Sequence, residues 1–126
     1  MSRRIVTSDR VMPPRMPQSQ AVRMGNLVFV SGTVGFAPDG AVARGDIRAQ
    51  TRQTLENVKA VLEAAGSSLD RTVKVTVVLT DMAHAAAMNE VYGAYFTAGN
   101  YPARSLIQAG LPNPDLLVEV ECVAEV

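Results

Sequence analysis

The 126-residue sequence contains few of the residues that build disulfide frameworks and metal centres. It has one cysteine, Cys122, one histidine, His84, and no tryptophan. A disulfide within the chain is therefore excluded, and no metal-ligand spacing of the zinc type occurs. Because Cys122 lies in an apolar run near the end of the chain, we interpret it as a small buried hydrophobic residue.

The sequence also lacks an excess of either charge and any long hydrophobic run. Its 12 lysines and arginines balance its 12 aspartates and glutamates, and no run of like charges exceeds Arg3-Arg4. This balance argues against a nucleic-acid or membrane-surface binder and favours a small partner. No run of about eighteen apolar residues occurs, and no apolar segment follows Arg3-Arg4, so neither a membrane span nor a secretory signal is predicted. We expect a cytoplasmic protein.

What the chain does contain is the composition of one globular domain. Apolar residues make up 48% and charged residues 19%, and no internal repeat or low-complexity tract is present. A chain of this length buries roughly two thirds of its unfolded surface. We therefore expect a single domain spanning residues 1–126.

Alternating apolar and polar residues predict three strands before the first helix. The second and third strands are joined by a tight turn at Gly25-Asn26. In the third, Leu27 and Phe29 face one side of the sheet and the intervening valines face the other, so both faces are apolar. A short return strand is expected after the turn residues Pro38-Asp39-Gly40. The predicted ranges are Arg4–Thr7, Gln20–Met24, Asn26–Val34 and, for the return strand, Ala41–Ala43.

The second half of the chain alternates helices with strands. Asp46 is the predicted N-cap, and Gly66 the predicted stop, of a helix with apolar residues at steps of three and four. Asp81 is the predicted N-cap of a second helix, and Pro102 begins a strand where its missing N–H is tolerated. The predicted elements are a helix Ile47–Ala65, a strand Thr72–Thr80 with Val73, Val75, Val77 and Leu79 on one face, a helix ending near Thr97, and strands 103–109 and 117–123.

This order, β-β-β-α-β-α-β-β, predicts an α+β fold with two helices on one face of a mixed sheet. Two helices cover only one face, yet the third and last strands are apolar on both sides. Another copy of the same chain is the simplest cover for the second face. The pattern therefore predicts a homo-oligomer.

Fixed charges interrupt the last two strands, which otherwise have the pattern of sheet interior. Arg104 shares one strand face with Leu106, and Glu119 shares one face of its own strand with Glu121. Buried charges need a partner or a function. From spacing alone, a wet face or a structural ion pair remains an alternative to a catalytic pair.

Six blocks in order carry a resemblance to the RidA/YjgF family of reactive-intermediate deaminases. They cover nearly the whole chain from Pro17 onward. The resemblance implies a chorismate-mutase-like fold and a homotrimer with three sites between subunits. It also implies hydrolysis of enamines and imines, such as 2-aminoacrylate and 2-iminopropionate, to a 2-keto acid and ammonia, with no cofactor or metal. The blocks are NLVFVSG (26–32), QTLENVKAVLEAAG (53–66), VKVTVVLTD (73–81), MNEVYGAYF (88–96), PARS (102–105) and VEVECV (118–123).

The resemblance assigns roles residue by residue. Arg104, the arginine of PARS, is expected to hold the substrate carboxylate, because its planar fork suits bidentate binding. Glu119 is expected to orient or deprotonate the attacking water. Ser31, Gly32 and Asn89 match positions that line the same pocket.

The chain departs from the family pattern at three positions, one of which is Thr33 in place of the glutamine of a Ser-Gly-Gln sequence. Gln18 replaces a tyrosine whose hydroxyl reaches the site, and Leu106 replaces a frequent cysteine. We expect both residues to contact the substrate and to make this chain a specialised member.

Two other functions stay open at this point. A trimeric protein that binds a small carboxylate in the same cleft without turnover would need the same arginine. A ribonuclease or translation inhibitor, a label that members of this family carry, is disfavoured by the neutral net charge and the absence of a histidine pair.

Overall fold

Six strands form one mixed sheet in the computed structural model, which describes residues 2–126. The strand order across the sheet is β1-β2-β3-β6-β4-β5. Only the β4–β5 pair is parallel; every other neighbouring pair is antiparallel. The last strand of the chain therefore lies in the middle of the sheet. The bounds are β1 Arg3–Val6, β2 Ala21–Met24, β3 Leu27–Val34, β4 Thr72–Leu79, β5 Ala103–Gln108 and β6 Val118–Glu125.

Two helices, α1 (Ile47–Ala64) and α2 (Ala85–Ala94), pack on one face of this sheet. Asp46 caps α1 by accepting a hydrogen bond from the Ala49 amide at 3.0 Å, and Gly66 follows the helix with a φ of 84°. Both positions confirm the helix signals in the sequence. The α+β class and the two-helix layer are also as predicted. Neither helix within residues 2–126 is long and apolar enough to cross a membrane.

The core lies between the helices and one face of the central strands. Alternate residues of β3, β4 and β6 point into it, and α1 and α2 contribute side chains at helical spacing. Full burial of one such aliphatic side chain contributes about 1.5–3 kcal/mol. Cys122 is among these buried residues, as the sequence predicts, and burial raises the pKa of its thiol to about 12. The sheet residues are Val28, Val30, Val75, Val77, Leu79, Val118, Val120, Cys122 and Ala124; the helix residues include Leu55, Val58, Leu62, Met88 and Tyr92.

The predicted return strand at Ala41–Ala43 is wrong. The turn before it closes through a hydrogen bond from the Ala37 amide to the Ala41 carbonyl at 2.8 Å. The Ala43 carbonyl accepts from the side chain of Gln50 at 3.0 Å. Since these backbone groups are satisfied by a turn and a helix side chain, no ladder forms.

Two further boundaries differ from prediction. The helix capped by Asp81 begins as a 3-10 turn over Met82–His84 and ends at Ala94, three residues before Thr97. Val73 was expected on the buried face of β4, but it is 52% exposed. The pairing of β4 with β6 shifts between Thr72 and Lys74, so Val73 lies in an irregularity and points away from the core.

The face without helices carries an apolar row across four strands. Ile5, Val22, Phe29 and Val123 are cross-strand neighbours in β1, β2, β3 and β6, and side chains paired in this way share a face. Ile5 is 54% exposed and Phe29 47% exposed in the single chain. This row is the surface on which the predicted oligomer depends.

We expect the wild-type chain to have a light-scattering mass of several subunits at micromolar concentration. Phe29→Glu should lower that mass toward one subunit, because the substitution places a charge in the apolar row. Lys59→Glu, on the exposed side of α1, is the control and should leave the mass unchanged. A wild-type mass equal to one chain would contradict the prediction.

Candidate active site

The acidic part of the candidate site is built on β6. Its burial pattern alternates strictly, so Val118, Val120 and Cys122 face the core while Glu119 and Glu121 face the side without helices. Glu119 pairs with Val34 of β3 and with Val78 of β4. The central position of β6 therefore surrounds the Glu119 carboxylate with apolar neighbours on both sides.

A β-bulge in β3 makes room for this carboxylate. Val30 pairs with Cys122 and Thr33 pairs with Val120, so Ser31 and Gly32 together oppose one residue of β6. A Cβ atom at Gly32 would lie 2.7 Å from Oε1 of Glu119, which is closer than real Cβ contacts. A side chain at position 32 would therefore displace the Glu119 carboxylate from its present position against the bulge.

The N-terminal loop is tied to the same bulge. The Ser31 hydroxyl donates to the Ser19 carbonyl at 2.6 Å, and the Ser31 amide donates to the Gln20 carbonyl at 3.0 Å. These bonds hold Gln18 at the edge of a cleft of about 420 Å³ that Ser31, Gly32, Glu119 and Glu121 also line. The structure thus brings four of the predicted residues together, namely Gln18, Ser31, Gly32 and Glu119.

The electrostatics of the cleft favour a carboxylate of increased basicity. Glu119 is half-buried and forms no hydrogen bond or ion pair within residues 2–126. Desolvation raises its pKa above the ordinary value, and the negative charge of Glu121 raises it further. Glu119 is consequently a better proton acceptor than an exposed glutamate.

The basic part of the candidate site lies elsewhere, on the edge strand β5. Arg104 pairs with Val75 of β4, which places its side chain on the helix face of the sheet. Its Nη1 donates to Oδ1 of Asn89 in α2 at 2.7 Å, and its guanidinium carbon lies 4.8 Å from the centre of the Tyr92 ring. Arg104 is exposed at the edge and does not lie inside the sheet, contrary to the sequence-based expectation. The prediction missed this because hydrophobic alternation does not distinguish an edge strand from a central one.

Leu106 belongs to the Arg104 side of the molecule. It pairs with Val77, faces the helices and packs against the core cluster. It therefore does not line the cleft that contains Glu119.

Within one chain, the two charged groups point to opposite faces of the sheet. The row Arg104–Val75–Cys122 runs across β5, β4 and β6 on the helix face, whereas Glu119 alternates to the other face. An Arg104–Glu119 ion pair within one chain is thereby ruled out. The two parts of the candidate site can act on one substrate only if they come from different copies.

Two contributors were not identified from the sequence. Asn57 is buried in α1 and its Nδ2 donates to the carbonyls of Val34 and Phe36 at 2.9 and 2.8 Å, which fixes the end of β3 beside Glu119. The sequence signal for Asn57 was its position next to the apolar positions Leu55 and Val58, where a polar side chain must find hydrogen-bond partners. Tyr92 is a buried residue of α2 whose ring contacts Arg104, and helical periodicity alone indicates only that it belongs to the core.

No three His, Cys, Asp or Glu side chains lie close enough together, between residues 2 and 126, to hold a metal ion.

Comparison with known proteins identifies the family. The family model described as endoribonuclease L-PSP matches residues 9–126. A RutC family protein of Pyrococcus abyssi is 41% identical over 125 residues, and the match covers 98% of each chain. The chloroplastic Reactive Intermediate Deaminase A of Arabidopsis thaliana is 34% identical over 125 residues, covering 98% of this chain and 66% of that protein.

A solved structure agrees with the sequence relatives. The crystal structure of Escherichia coli TdcF with bound serine superposes with a TM-score of 0.89 at 35% identity, and the match covers 98% of each chain. The fold, the ordered sequence blocks and these relatives lead to one conclusion: the chain belongs to the RidA/YjgF family, whose sequence model carries the description endoribonuclease L-PSP.

Proposed function

We propose that this chain hydrolyses enamine and imine intermediates that carry a carboxylate, such as 2-aminoacrylate and its tautomer 2-iminopropionate. The products are a 2-keto acid and ammonia. The observation that carries the proposal is the half-buried Glu119 carboxylate, which lies against Gly32 in an open cleft without a hydrogen-bond or ion-pair partner in the described chain. A desolvated, unpaired carboxylate with a raised pKa is suited to general-base catalysis.

Each step then has a group to perform it. Arg104 binds the substrate carboxylate through the N–H groups that Asn89 does not use. Glu119 takes a proton from water as the water oxygen bonds to the imine carbon and the C=N electrons move to nitrogen. That proton is returned to nitrogen, which gives the carbinolamine. A second proton then passes from the carbinolamine hydroxyl to the nitrogen through Glu119, the C–N bond breaks as the C=O bond forms, and ammonia leaves the 2-keto acid. The electrophilic imine needs little further activation.

The positions of Arg104 and Glu119 support a site between subunits. Because Arg104 and Glu119 of one chain lie on opposite faces, we place the working site between subunits, with Arg104 of one copy facing the Glu119 cleft of the next. A head-to-tail contact of this kind can close into a ring. Because the family resemblance implies three subunits, a homotrimer with three such sites is the assembly proposed. The serine bound to TdcF supports a ligand of amino-acid size with a carboxylate.

Neutral net charge supports a small substrate over RNA. A binding protein without turnover is the second candidate, and Gln18 favours it because an amide replaces the tyrosine hydroxyl of the family pattern in this cleft. The assay of keto-acid release described next separates hydrolysis from binding without turnover.

The assay is keto-acid release from 2-iminopropionate that an amino-acid oxidase generates in situ, in competition with semicarbazide. We expect wild type to accelerate release. Arg104→Lys should lower kcat/KM by roughly 10²-fold, because a point charge does not reproduce the bidentate fork. Glu119→Gln should lower kcat by about 10²–10⁴-fold while pyruvate binding persists, because only the base is removed.

Arg10 and Glu63 supply matched controls. They form an exposed ion pair between the N-terminal segment and α1, so Arg10→Lys and Glu63→Gln should retain wild-type rates. If wild type binds pyruvate through Arg104 but does not accelerate release, the binding-protein function replaces the deaminase. An unchanged rate in Glu119→Gln would mean that water is activated by another group.

The pH dependence gives a separate prediction. Glu119 must be ionised to accept a proton, so kcat/KM should fall toward acid pH with a midpoint above 4.5, the ordinary carboxyl value, because desolvation and Glu121 both raise the Glu119 pKa. Glu121→Gln removes the second cause and should move this midpoint to lower pH. The measurement is kcat/KM from pH 4 to 8 for both proteins. A midpoint that moves to higher pH in Glu121→Gln would contradict the assignment of Glu119 as the base.

A further inference from the structure

Tyr92 lies over the side-chain row that ends in Arg104. The row Arg104–Val75–Cys122 crosses three strands on the helix face, and α2 covers it. The Tyr92 side chain is only 6% exposed, and its ring packs at 4.7 Å between centroids against the buried Phe96 ring. Its position in the structure is therefore fixed by core packing.

The Tyr92 ring and the Asn89 amide hold the same guanidinium from one helix. They are three residues apart in α2, so both side chains project from one side of the helix. Nη1 of Arg104 lies 2.7 Å from Oδ1 of Asn89, and the guanidinium carbon lies 4.8 Å from the Tyr92 ring centre, within the range of a cation–π contact. A guanidinium has five N–H donors, and Asn89 accepts from one nitrogen only. The remaining fork is free for a carboxylate.

The hydroxyl of Tyr92 takes no part in this arrangement. It is buried and has no hydrogen-bond partner among residues 2–126. Desolvation raises the pKa of Tyr92 to about 12, so the ring stays neutral at ordinary pH. A buried hydroxyl without a partner costs stability, whereas phenylalanine would avoid that cost. Because the hydroxyl has no partner, Tyr92 contacts Arg104 through the face of its ring alone.

We propose that Tyr92 is a positioning residue for Arg104, with its ring fixing the plane of the guanidinium so that the fork meets the substrate carboxylate. This inference rests on the proposed function for the role of the carboxylate, but the contact itself involves only Tyr92 and Arg104. An exposed arginine at a sheet edge otherwise samples many rotamers, and ordering it on binding weakens affinity. The ring supplies that order before the substrate arrives.

The test compares Tyr92→Phe, which keeps the ring, with Tyr92→Leu, which removes it. Tyr95→Leu is the matched control, because it removes a partly buried ring directly after α2 that takes part in neither the Tyr92–Phe96 packing nor the contact with Arg104 within residues 2–126. Tyr92→Leu should raise both KM for 2-iminopropionate and the Kd for pyruvate by about three- to thirtyfold, with a smaller effect on kcat. Tyr92→Phe should restore both constants to within about twofold of wild type. In an Arg104→Ala background, Tyr92→Leu should add no further loss of pyruvate affinity.

A spectroscopic measurement makes the inference independent of turnover. The side-chain Nε–H signal of Arg104, assigned by its absence in Arg104→Lys, should be ordered and ring-current shifted in wild type and Tyr92→Phe. It should become mobile and lose the shift in Tyr92→Leu, and Tyr95→Leu should retain it. Unchanged Arg104 order in Tyr92→Leu, or an equal loss of order in Tyr95→Leu, would overturn the positioning role. If wild type neither hydrolyses the imine nor binds pyruvate, the proposed function fails while this signal still decides the role of Tyr92.

Discussion

Side-chain alternation along β6 is the constraint on which the rest of the structure depends. This strand lies between β3 and β4, so both of its edges are paired with neighbouring strands. One face supplies Val118, Val120 and Cys122 to the core, and the period of two then places Glu119 on the other face. The core and the candidate base are thus set by the same strand register.

The position of Glu119 shows how stability and function are opposed at one residue. Burial beside Val34 and Val78 disfavours the ionised carboxylate, and so raises its pKa. The raised Glu119 pKa lowers the free energy of unfolding at pH values above the unfolded-state pKa, because the unfolded chain then ionises more readily than the folded chain. Below both pKa values the carboxyl group is protonated in both states, and this destabilisation vanishes. The bulge at Ser31 and Gly32 accommodates the side chain sterically but supplies no neutralising charge. An unpaired carboxylate of this kind is consistent with a group retained for chemistry.

The Arg104 side of the molecule is organised differently. Its strand is at the edge, its guanidinium is exposed, and its order comes from a helix that packs above it. An edge arginine can reach a neighbouring subunit, whereas a carboxylate on the middle strand cannot leave its cleft. In the site that we propose between copies, the exposed binding group therefore comes from one subunit and the half-buried base from another.

The sequence by itself determined the elements of this fold, because hydrophobic periodicity, the Asp46 cap and the Gly66 stop are local signals that need no knowledge of the partner strands. It also determined which residues carry charge, and which residues of the same strand lie on the same face as each charged residue. Only the tertiary structure decided that β5 is an edge, that Ala41–Ala43 is a turn segment, and that Arg104 and Glu119 point to opposite faces. Alternation fixes a side chain relative to its own strand, but the order and direction of the strands fix it relative to every other strand, and that order is set by long-range packing.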